Sequence, residues 1–111
     1  MKTANLRKLP KDDKDKIIKG LANALETHAE ISFAYLHGSF VQEGGFRDID
    51  MALYLKEAPE SLLQYELQME TELMAVVGKY SVDVRVLNLS PLSFRYNVIK
   101  EGTAFIEETT M

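Results

Sequence analysis

The chain contains no cysteine and no tryptophan, and it has only three prolines among 111 residues. Without cysteine, neither a disulfide framework nor a thiolate metal site can form, which is consistent with a reducing cytoplasm. No apolar run approaches the roughly 20 residues that a membrane span requires. The first residues also lack the apolar segment of a signal peptide. These absences predict a small cytoplasmic protein that does not act at a membrane.

Positive charge is scarce as well. The 13 Lys and Arg residues are outnumbered by 17 Asp and Glu, the net charge is −4, and no basic cluster stands out. Proteins that bind nucleic acid through its phosphates usually present a basic surface, so we expect no direct nucleic-acid partner. The length and the apolar content of 46% suit one globular domain. We therefore expect a single domain over residues 1–111, with residues 1–9 and 108–111 frayed.

Hydrophobic periodicity predicts seven elements in the order α-β-β-α-β-α-β. The predicted helices are Pro10–His28, Pro59–Val77 and Pro91–Lys100, and the predicted strands are Ile31–Gly38, Asp48–Leu55, Val82–Leu89 and Thr103–Glu107. The long second helix permits a right-handed crossover between the second and third strands. The predicted fold is thus an α/β (α+β) domain, in which helices pack on a mixed four-stranded sheet.

The second predicted helix has an apolar stripe that should face this sheet. It consists of Leu62, Leu63, Met69, Leu73 and Val76. Gly78 follows the stripe and should end the helix.

Three aspartates lie in or at the mouths of these apolar strands. Asp48 and Asp50 are two residues apart, so their side chains point to the same face of one strand, and Asp83 lies between two valines of another. An unpaired buried carboxylate costs several kcal/mol, which a bound divalent cation would offset. Ligands that are all oxygen favour Mg²⁺ or Mn²⁺. Three carboxylates can hold two such ions, the arrangement that catalyses phosphoryl displacement, so a nucleoside triphosphate is the expected substrate.

Gly38 and Ser39 directly follow the first predicted strand. Glycine lets the backbone approach a ligand closely. Ser39 offers a hydroxyl, and a helical turn beginning here would point its N–H groups at an anion. Eight residues separate Ser39 from Asp48, so the two groups of residues can form one phosphate-binding and metal-binding site.

The segments "HGSF", "RDIDMALYL" and "VDVRVLNLSPLSFRYNVIKEGTAF" resemble the minimal nucleotidyltransferases (MNT proteins) of the DNA polymerase β superfamily. Within it they are most similar to the antitoxins of HEPN-domain toxins. The resemblance implies transfer of AMP from ATP to a tyrosine hydroxyl of a partner HEPN ribonuclease. It also implies that Gly38 and Ser39 hold the triphosphate and that Asp48, Asp50 and Asp83 ligate two magnesium ions. Asp83 would activate the attacking hydroxyl.

The loop of this chain departs from the family pattern. It is shorter than usual, and it has Gln42 and Glu43 where the family often has a basic residue and a glycine. Arg47, which directly precedes Asp48, is the candidate that restores a positive charge beside the nucleotide.

Several residues keep structural alternatives. Asp48 could serve only as a turn residue, and Asp50 could form an ion pair with Arg47 or Arg85. Arg85 could contact phosphate or neutralise Asp83. His28 and His37 are expected to be structural rather than metal ligands, because no second histidine or cysteine lies at ligand spacing. Arg95 and Tyr96 are expected to pack or to lie on the surface.

Functional alternatives also stay open. The chain could be an MNT-fold antitoxin that neutralises its toxin by binding alone, which the shortened loop favours. Transfer to a small molecule is less expected, because such enzymes usually add a second domain for the acceptor. A homo-oligomer is compatible with either function.

Overall fold

The computed structural model describes residues 8–42 and 44–107. Its elements follow the predicted order, and they are α1 (Lys11–Leu25), β1 (Ile31–His37), a 3₁₀ turn (Gly38–Val41), β2 (Asp48–Leu55), α2 (Leu62–Val77), β3 (Ser81–Val86), α3 (Leu92–Glu101) and β4 (Thr103–Glu107). Fraying was expected at residues 1–9 and 108–111, and of these residues 1–7 and 108–111 lie outside the described part of the chain. Within the described ranges, every helix is too short or too polar to cross a bilayer.

The strands form one mixed sheet in the order β3-β2-β1-β4. The two central strands are β2 and β1, and β2 pairs antiparallel with β1 and parallel with β3. Strand β4 adds antiparallel to the outer side of β1. Parallel strands need a crossover connection, and α2 supplies the one between β2 and β3. The chain is therefore a small α+β domain with three helices and a mixed sheet.

The two faces of the sheet have different coverings. Alternate residues of β2 point to opposite faces, so Ile49, Met51 and Leu53 join the main core beneath α1 and α2. Ala52 points the other way and packs in a smaller cluster with Val98 of α3. Helix α3 covers only part of that second face. The start of β2 is left open there, with Asp48 and Asp50 half-buried.

The predicted stripe of α2 is partly wrong. Met69 and Leu73 are buried in the core, but Leu63 is 66% exposed and Val76 is 44% exposed. These two side chains lie outside the arc of the helix that meets the sheet. The end of the helix is as predicted, because Gly78 adopts φ +85° directly after Val77, a conformation that stops a helix at low cost.

Strand β3 ends earlier than predicted, at Val86 rather than Leu89. Two residues further on, the Asn88 side chain takes over the pairing with β2. Its Oδ1 accepts from the Leu55 backbone N–H at 2.9 Å, and its Nδ2 donates to the Leu55 carbonyl at 2.8 Å. A side-chain amide offers the same donor and acceptor as a peptide group, so it continues the ladder while the backbone turns away toward α3.

The outer edge of β3 is closed by two glutamates of α2. Glu70 accepts a hydrogen bond from the Val84 N–H and Glu66 accepts one from the Val86 N–H, both at 2.9 Å. Unpaired N–H groups along a sheet edge are a template for pairing with another chain. The carboxylates therefore satisfy two edge donors and remove two sites at which a second molecule could pair.

We expect the double change Glu66→Ala and Glu70→Ala to destabilise the domain by about 1–3 kcal/mol, because two hydrogen bonds to charged acceptors are lost. It should also promote association through the uncovered edge. Urea unfolding and size-exclusion chromatography measure the two effects. The matched change Glu66→Gln and Glu70→Gln keeps an acceptor at each position and should lose less. Equal losses in both pairs would contradict the edge-closing role.

Candidate functional site

Two of the predicted aspartates lie side by side on the open face of the sheet. Asp50 is directly in register with Asp83 across the parallel β2–β3 pair, where neighbouring strands run roughly 4.8 Å apart. On its other side, Asp50 is in register with His37 of β1. Asp48 lies two residues earlier on the same face, opposite Ser81. The structure thus brings together the acids that the sequence places 33 residues apart.

Asp50 is in an unfavourable electrostatic environment. Burial raises its pKa to about 6, assisted by the negative charges of Asp83 and Asp48, while Arg47 and Arg85 act in the opposite direction. Among the described residues, none of the three aspartates makes a salt bridge. The ion pair considered for Asp50 with Arg47 or Arg85 is therefore absent from this part of the chain, and the two arginines act on the Asp50 carboxylate only at longer range.

The 3₁₀ turn places Gly38 directly beside Asp50. Gly38 has φ +76°, a backbone angle that residues other than glycine rarely adopt. A Cβ on this residue would overlap Oδ2 of Asp50 and would lie 3.2 Å from its Cγ. Glycine is therefore required at this position by both the backbone and the neighbouring carboxylate. Ser39 follows in the same turn, partly exposed.

The loop between Ser39 and Asp48 is anchored by two residues that the sequence analysis did not single out. Phe40 and Phe46 are buried at 1% and 0% exposure, and their rings meet edge to face at 4.7 Å between centroids. The sequence signal for this anchoring role was the presence of two phenylalanines in a loop that is otherwise mostly polar and contains glycine. They fix both ends of the loop, and with it the relative positions of the Gly-Ser turn and Asp48.

Lys14 of α1 is a third residue that the sequence analysis did not single out. Its Nζ donates to the carbonyls of Phe40 at 2.9 Å and Gln42 at 3.3 Å, and it lies 5.1 Å from the Phe40 ring centroid. The contact combines hydrogen bonds to the last carbonyls of the turn with a cation–π interaction. Lys14 therefore ties α1 to the Gly-Ser turn, across 26 residues of sequence.

Replacing Lys14 by Met keeps the aliphatic stem and removes the ammonium group. We expect a loss of about 1–2 kcal/mol in the free energy of unfolding, because two charge-assisted hydrogen bonds disappear. Urea unfolding measures this loss. Lys19→Met makes the same change at an exposed position of α1 and should leave the free energy of unfolding unchanged. Equal behaviour of the two variants would show that Lys14 does not hold the turn.

The basic and histidine residues have distinct surroundings. Arg47 is exposed. The guanidinium of Arg85 lies 5.5 Å from the centroid of the Phe94 ring, so Arg85 stacks on α3 instead of pairing with Asp83. Burial lowers the pKa of His37, assisted by the positive charge of Arg85 and opposed by Asp83, and so favours the neutral imidazole. Its ring meets Phe94 edge to face at 6.0 Å.

The remaining expectations about single residues concern structural roles. His28 bridges Glu30 and Glu72 at 2.9 and 2.7 Å, away from the aspartates. Arg95 donates to the Ser90 carbonyl, and Tyr96 is 60% exposed. All three have the packing or surface positions that the sequence predicted.

The three candidate aspartates have ligand atoms that suit a hard divalent cation. All three candidate ligands are carboxylates, and Asp50 is half-buried beside two like charges, the condition that a cation would relieve. In the described part of the chain, no three acidic or histidine side chains converge tightly enough to form a ready-made metal site. The backbone register thus brings Asp50 and Asp83 together, and Asp48 lies one pleat away.

A mixed sheet that sets a Gly-Ser turn beside paired aspartates defines a nucleotidyltransferase-type domain. In agreement, residues 19–110 match the model of the family described as polymerase beta, nucleotidyltransferase. This match covers most of the 111 residues, and the chain belongs to the polymerase β nucleotidyltransferase family. No curated protein matches the chain by sequence.

Solved structures share this fold at low sequence identity. An MNT antitoxin in complex with the tri-AMPylated HEPN toxin of Shewanella oneidensis gives a TM-score of 0.58 at 21% identity, covering 83% of this chain and 67% of that one. The toxin–antitoxin complex MntA–HepT gives 0.60 at 19%, covering 86% and 70%. A toxin–antitoxin structure with AMP-PNP gives 0.66 at 21%, covering 86% and 74%. At these identities the likeness defines the fold.

Proposed function

We propose that the protein is a nucleotidyltransferase antitoxin that transfers AMP from ATP to a tyrosine hydroxyl of a HEPN-domain toxin. The observation that carries this proposal is the direct register of Asp50 with Asp83 beside the Gly38 turn. That arrangement combines a carboxylate pair with a Gly-Ser turn that lies directly against Asp50. The family membership supports the general chemistry, and the folds shared with HEPN complexes support the choice of partner.

In the proposed reaction, the tyrosine oxygen attacks the α-phosphorus of ATP. A new P–O bond forms, the bond from the α-phosphorus to the bridging oxygen breaks, and pyrophosphate leaves. Asp83, the most exposed of the three aspartates, would accept the hydroxyl proton as general base. Gly38 and Ser39 hold the triphosphate, and Arg47 adds positive charge near it. Asp48, Asp50 and Asp83 would hold two Mg²⁺ or Mn²⁺ ions, which supply charge stabilisation for the displacement.

A protein acceptor is supported by the surface of α3. Four large apolar side chains lie exposed on α3 and just before it, between 57% and 74% of their surface: Leu89, Leu92, Tyr96 and Ile99. Contiguous exposed apolar side chains are typical of protein interaction sites. This stripe belongs to the same helix whose inner residues reach the candidate site, so a partner bound there would be close to the aspartates.

Binding without catalysis is the second candidate function. It is favoured by the absence of a converged three-acid group among the described residues and by the loop that lacks the family's basic residue. In this alternative the domain would neutralise its partner by contact through the apolar stripe, and the aspartates would be dispensable.

Intact-mass spectrometry of a HEPN-domain partner separates the two candidates. The partner is incubated with this protein, ATP and Mg²⁺, and we expect a mass gain of one or more AMP groups that chelation of Mg²⁺ prevents. A stable complex without any mass gain would favour neutralisation by binding. The double change Asp48→Ala and Asp50→Ala then decides the role of the acids, since a binding-only antitoxin would still neutralise its toxin.

A further inference from the structure

A cleft of about 290 Å³ opens beside the Gly-Ser turn. It lies between the turn and α3 and is lined by His37, Gly38, Val41, Gln42, Phe94, Asn97 and Val98. Complete ligand sites are usually about 300–1,000 Å³, so this cleft is large enough for part of a nucleotide. Its contact with Gly38 makes it continuous with the position proposed for the phosphates.

We propose that this cleft is the base subsite of the nucleotidyltransferase, and that it binds adenine by stacking on Phe94 and by hydrogen bonds to the amide of Asn97. The inference rests on the proposed function, because it assigns a part of the same nucleotide. It adds a specificity-determining pair of residues that neither the acids nor the Gly-Ser turn provides.

The Phe94 ring is held before any ligand arrives. Arg85 lies over it at 5.5 Å from the centroid, and the His37 ring meets it nearly perpendicularly, at 83°. Phe94 also packs against the small cluster of Ala52, Leu87 and Val98. A ring fixed in this way loses little conformational entropy when a base stacks on it.

The position of α3 relative to β1 is fixed as well. At the end of α3, a Cβ on Gly102 would lie 2.5 Å from the Val98 carbonyl oxygen and 2.9 Å from the Leu36 carbonyl oxygen. Only glycine permits this close approach of the helix end to the strand. The width of the cleft is therefore set by backbone packing rather than by flexible side chains.

Two side-chain amides lie at the rim, Gln42 from the turn and Asn97 from α3. Both are exposed, and neither side chain makes a hydrogen bond to another described residue. An amide presents one acceptor and two donor hydrogens, the combination that pairs with the N6 amine and a ring nitrogen of adenine. Asn97 lies on α3 beside Phe94 and Val98, so its amide can reach the edge of a base that stacks on the ring.

The test compares binding of ATP, GTP and inorganic triphosphate, each with Mg²⁺, by calorimetric titration in the absence of a partner. Phe94→Leu should raise the Kd for ATP about tenfold and leave triphosphate binding unchanged. Phe33→Leu, the same change at an exposed ring four residues before His37 on β1, should affect neither ligand. Asn97→Asp should shift the ratio of ATP to GTP affinity about tenfold toward GTP, because a carboxylate only accepts hydrogen bonds and guanine presents two donors.

Unchanged ATP binding in Phe94→Leu, or an equal loss for ATP and triphosphate, would overturn the base subsite. An unchanged ATP to GTP ratio in Asn97→Asp would overturn the role of Asn97. If the unaltered protein binds triphosphate as tightly as ATP, the subsite is wrong while the phosphate site stands. If it binds neither ligand, the proposed function fails and the subsite fails with it.

Discussion

Asp50→Asn is expected to abolish AMP transfer and, at neutral pH, to make the domain more stable. Transfer should fall at least about 10³-fold, as it does when a member of an interdependent catalytic group is removed. Stability should rise because the ionised Asp50 is half-buried beside Asp83 and Asp48 without a compensating ion pair. A substitution that stabilises the fold while removing activity is the signature of a residue kept for function.

The pH dependence of this stabilisation follows from the raised pKa of Asp50, about 6 in the folded protein against 3.8 for the unperturbed group. An acid whose folded-state pKa is raised binds protons more tightly in the folded state, so the folded state loses stability as pH rises from about 4 to 6. Above that range the penalty is complete, and because Asp50 is only half-buried, solvent screening reduces it to about 1–2 kcal/mol. The Asn side chain carries no charge, so the variant does not incur this electrostatic penalty.

Urea unfolding of both proteins at pH 4 and pH 7.5 measures this difference, which should be small at the lower pH and largest at the higher one. Mg²⁺ should raise the stability of the unaltered protein at pH 7.5 and leave Asp50→Asn unaffected. Asp12→Asn, at an exposed position of α1, serves as the matched change. Retained transfer would exclude Asp50 from catalysis, and a destabilised variant at pH 7.5 would contradict the electrostatic argument.

Gly38→Ala is expected to have the second large effect. Alanine at φ +76° costs about 1–2 kcal/mol in backbone strain, and its Cβ would overlap Oδ2 of Asp50. Asp50 would have to rotate away from the position that faces Asp83. We therefore expect both a loss of stability and a loss of transfer of at least 10²-fold, since catalysis depends on placement to within about 1 Å.

Gly78→Ala separates these two causes. Gly78 has φ +85°, but no atom lies within 4 Å of the place where its Cβ would stand. It should lose a similar amount of stability in urea unfolding and keep full transfer activity in the intact-mass assay. Equal loss of transfer in both variants would attribute the effect of Gly38→Ala to strain or unfolding alone, and the contact with Asp50 would lose its significance.

The sequence predicted those parts of the fold that depend on local pattern. The order of helices and strands follows from periodicities that neighbouring residues determine, and the end of α2 follows from Gly78. The start of α2 was predicted at Pro59, whereas the helix begins at Leu62, where the Ser61 side chain caps it. The exposure of Leu63 and Val76 was missed, because a single stripe does not reveal how wide an arc the sheet covers. The early end of β3 depends on the side chain of Asn88 reaching Leu55, and no local pattern records such a contact.

The residues of the candidate site also fall into two groups, those that a local pattern predicts and those that depend on tertiary contacts. Asp50 and Asp83 were found because acidic residues inside apolar strands are costly in any tertiary arrangement. No local pattern singles out Lys14, because its contacts with the Gly-Ser turn form only once α1 and the turn are packed together. Phe94 and Asn97 belonged to a helix expected to pack or lie on the surface, and their relation to the cleft depends on the close approach at Gly102.

The closed edge of β3 constrains how the sequence of α2 can vary in length. Residues four apart on a helix rise about 6.0 Å, and residues two apart on a strand span about 6.6 Å. The spacing of Glu66 and Glu70 along the helix therefore matches the spacing of Val86 and Val84 along the strand. Inserting one residue between Met69 and Glu70 would rotate one glutamate by about 100° and leave its partner N–H open, whereas shortening or lengthening the loops around α2 would not. Natural or engineered length changes should accordingly fall in the two connections of α2 and spare its middle.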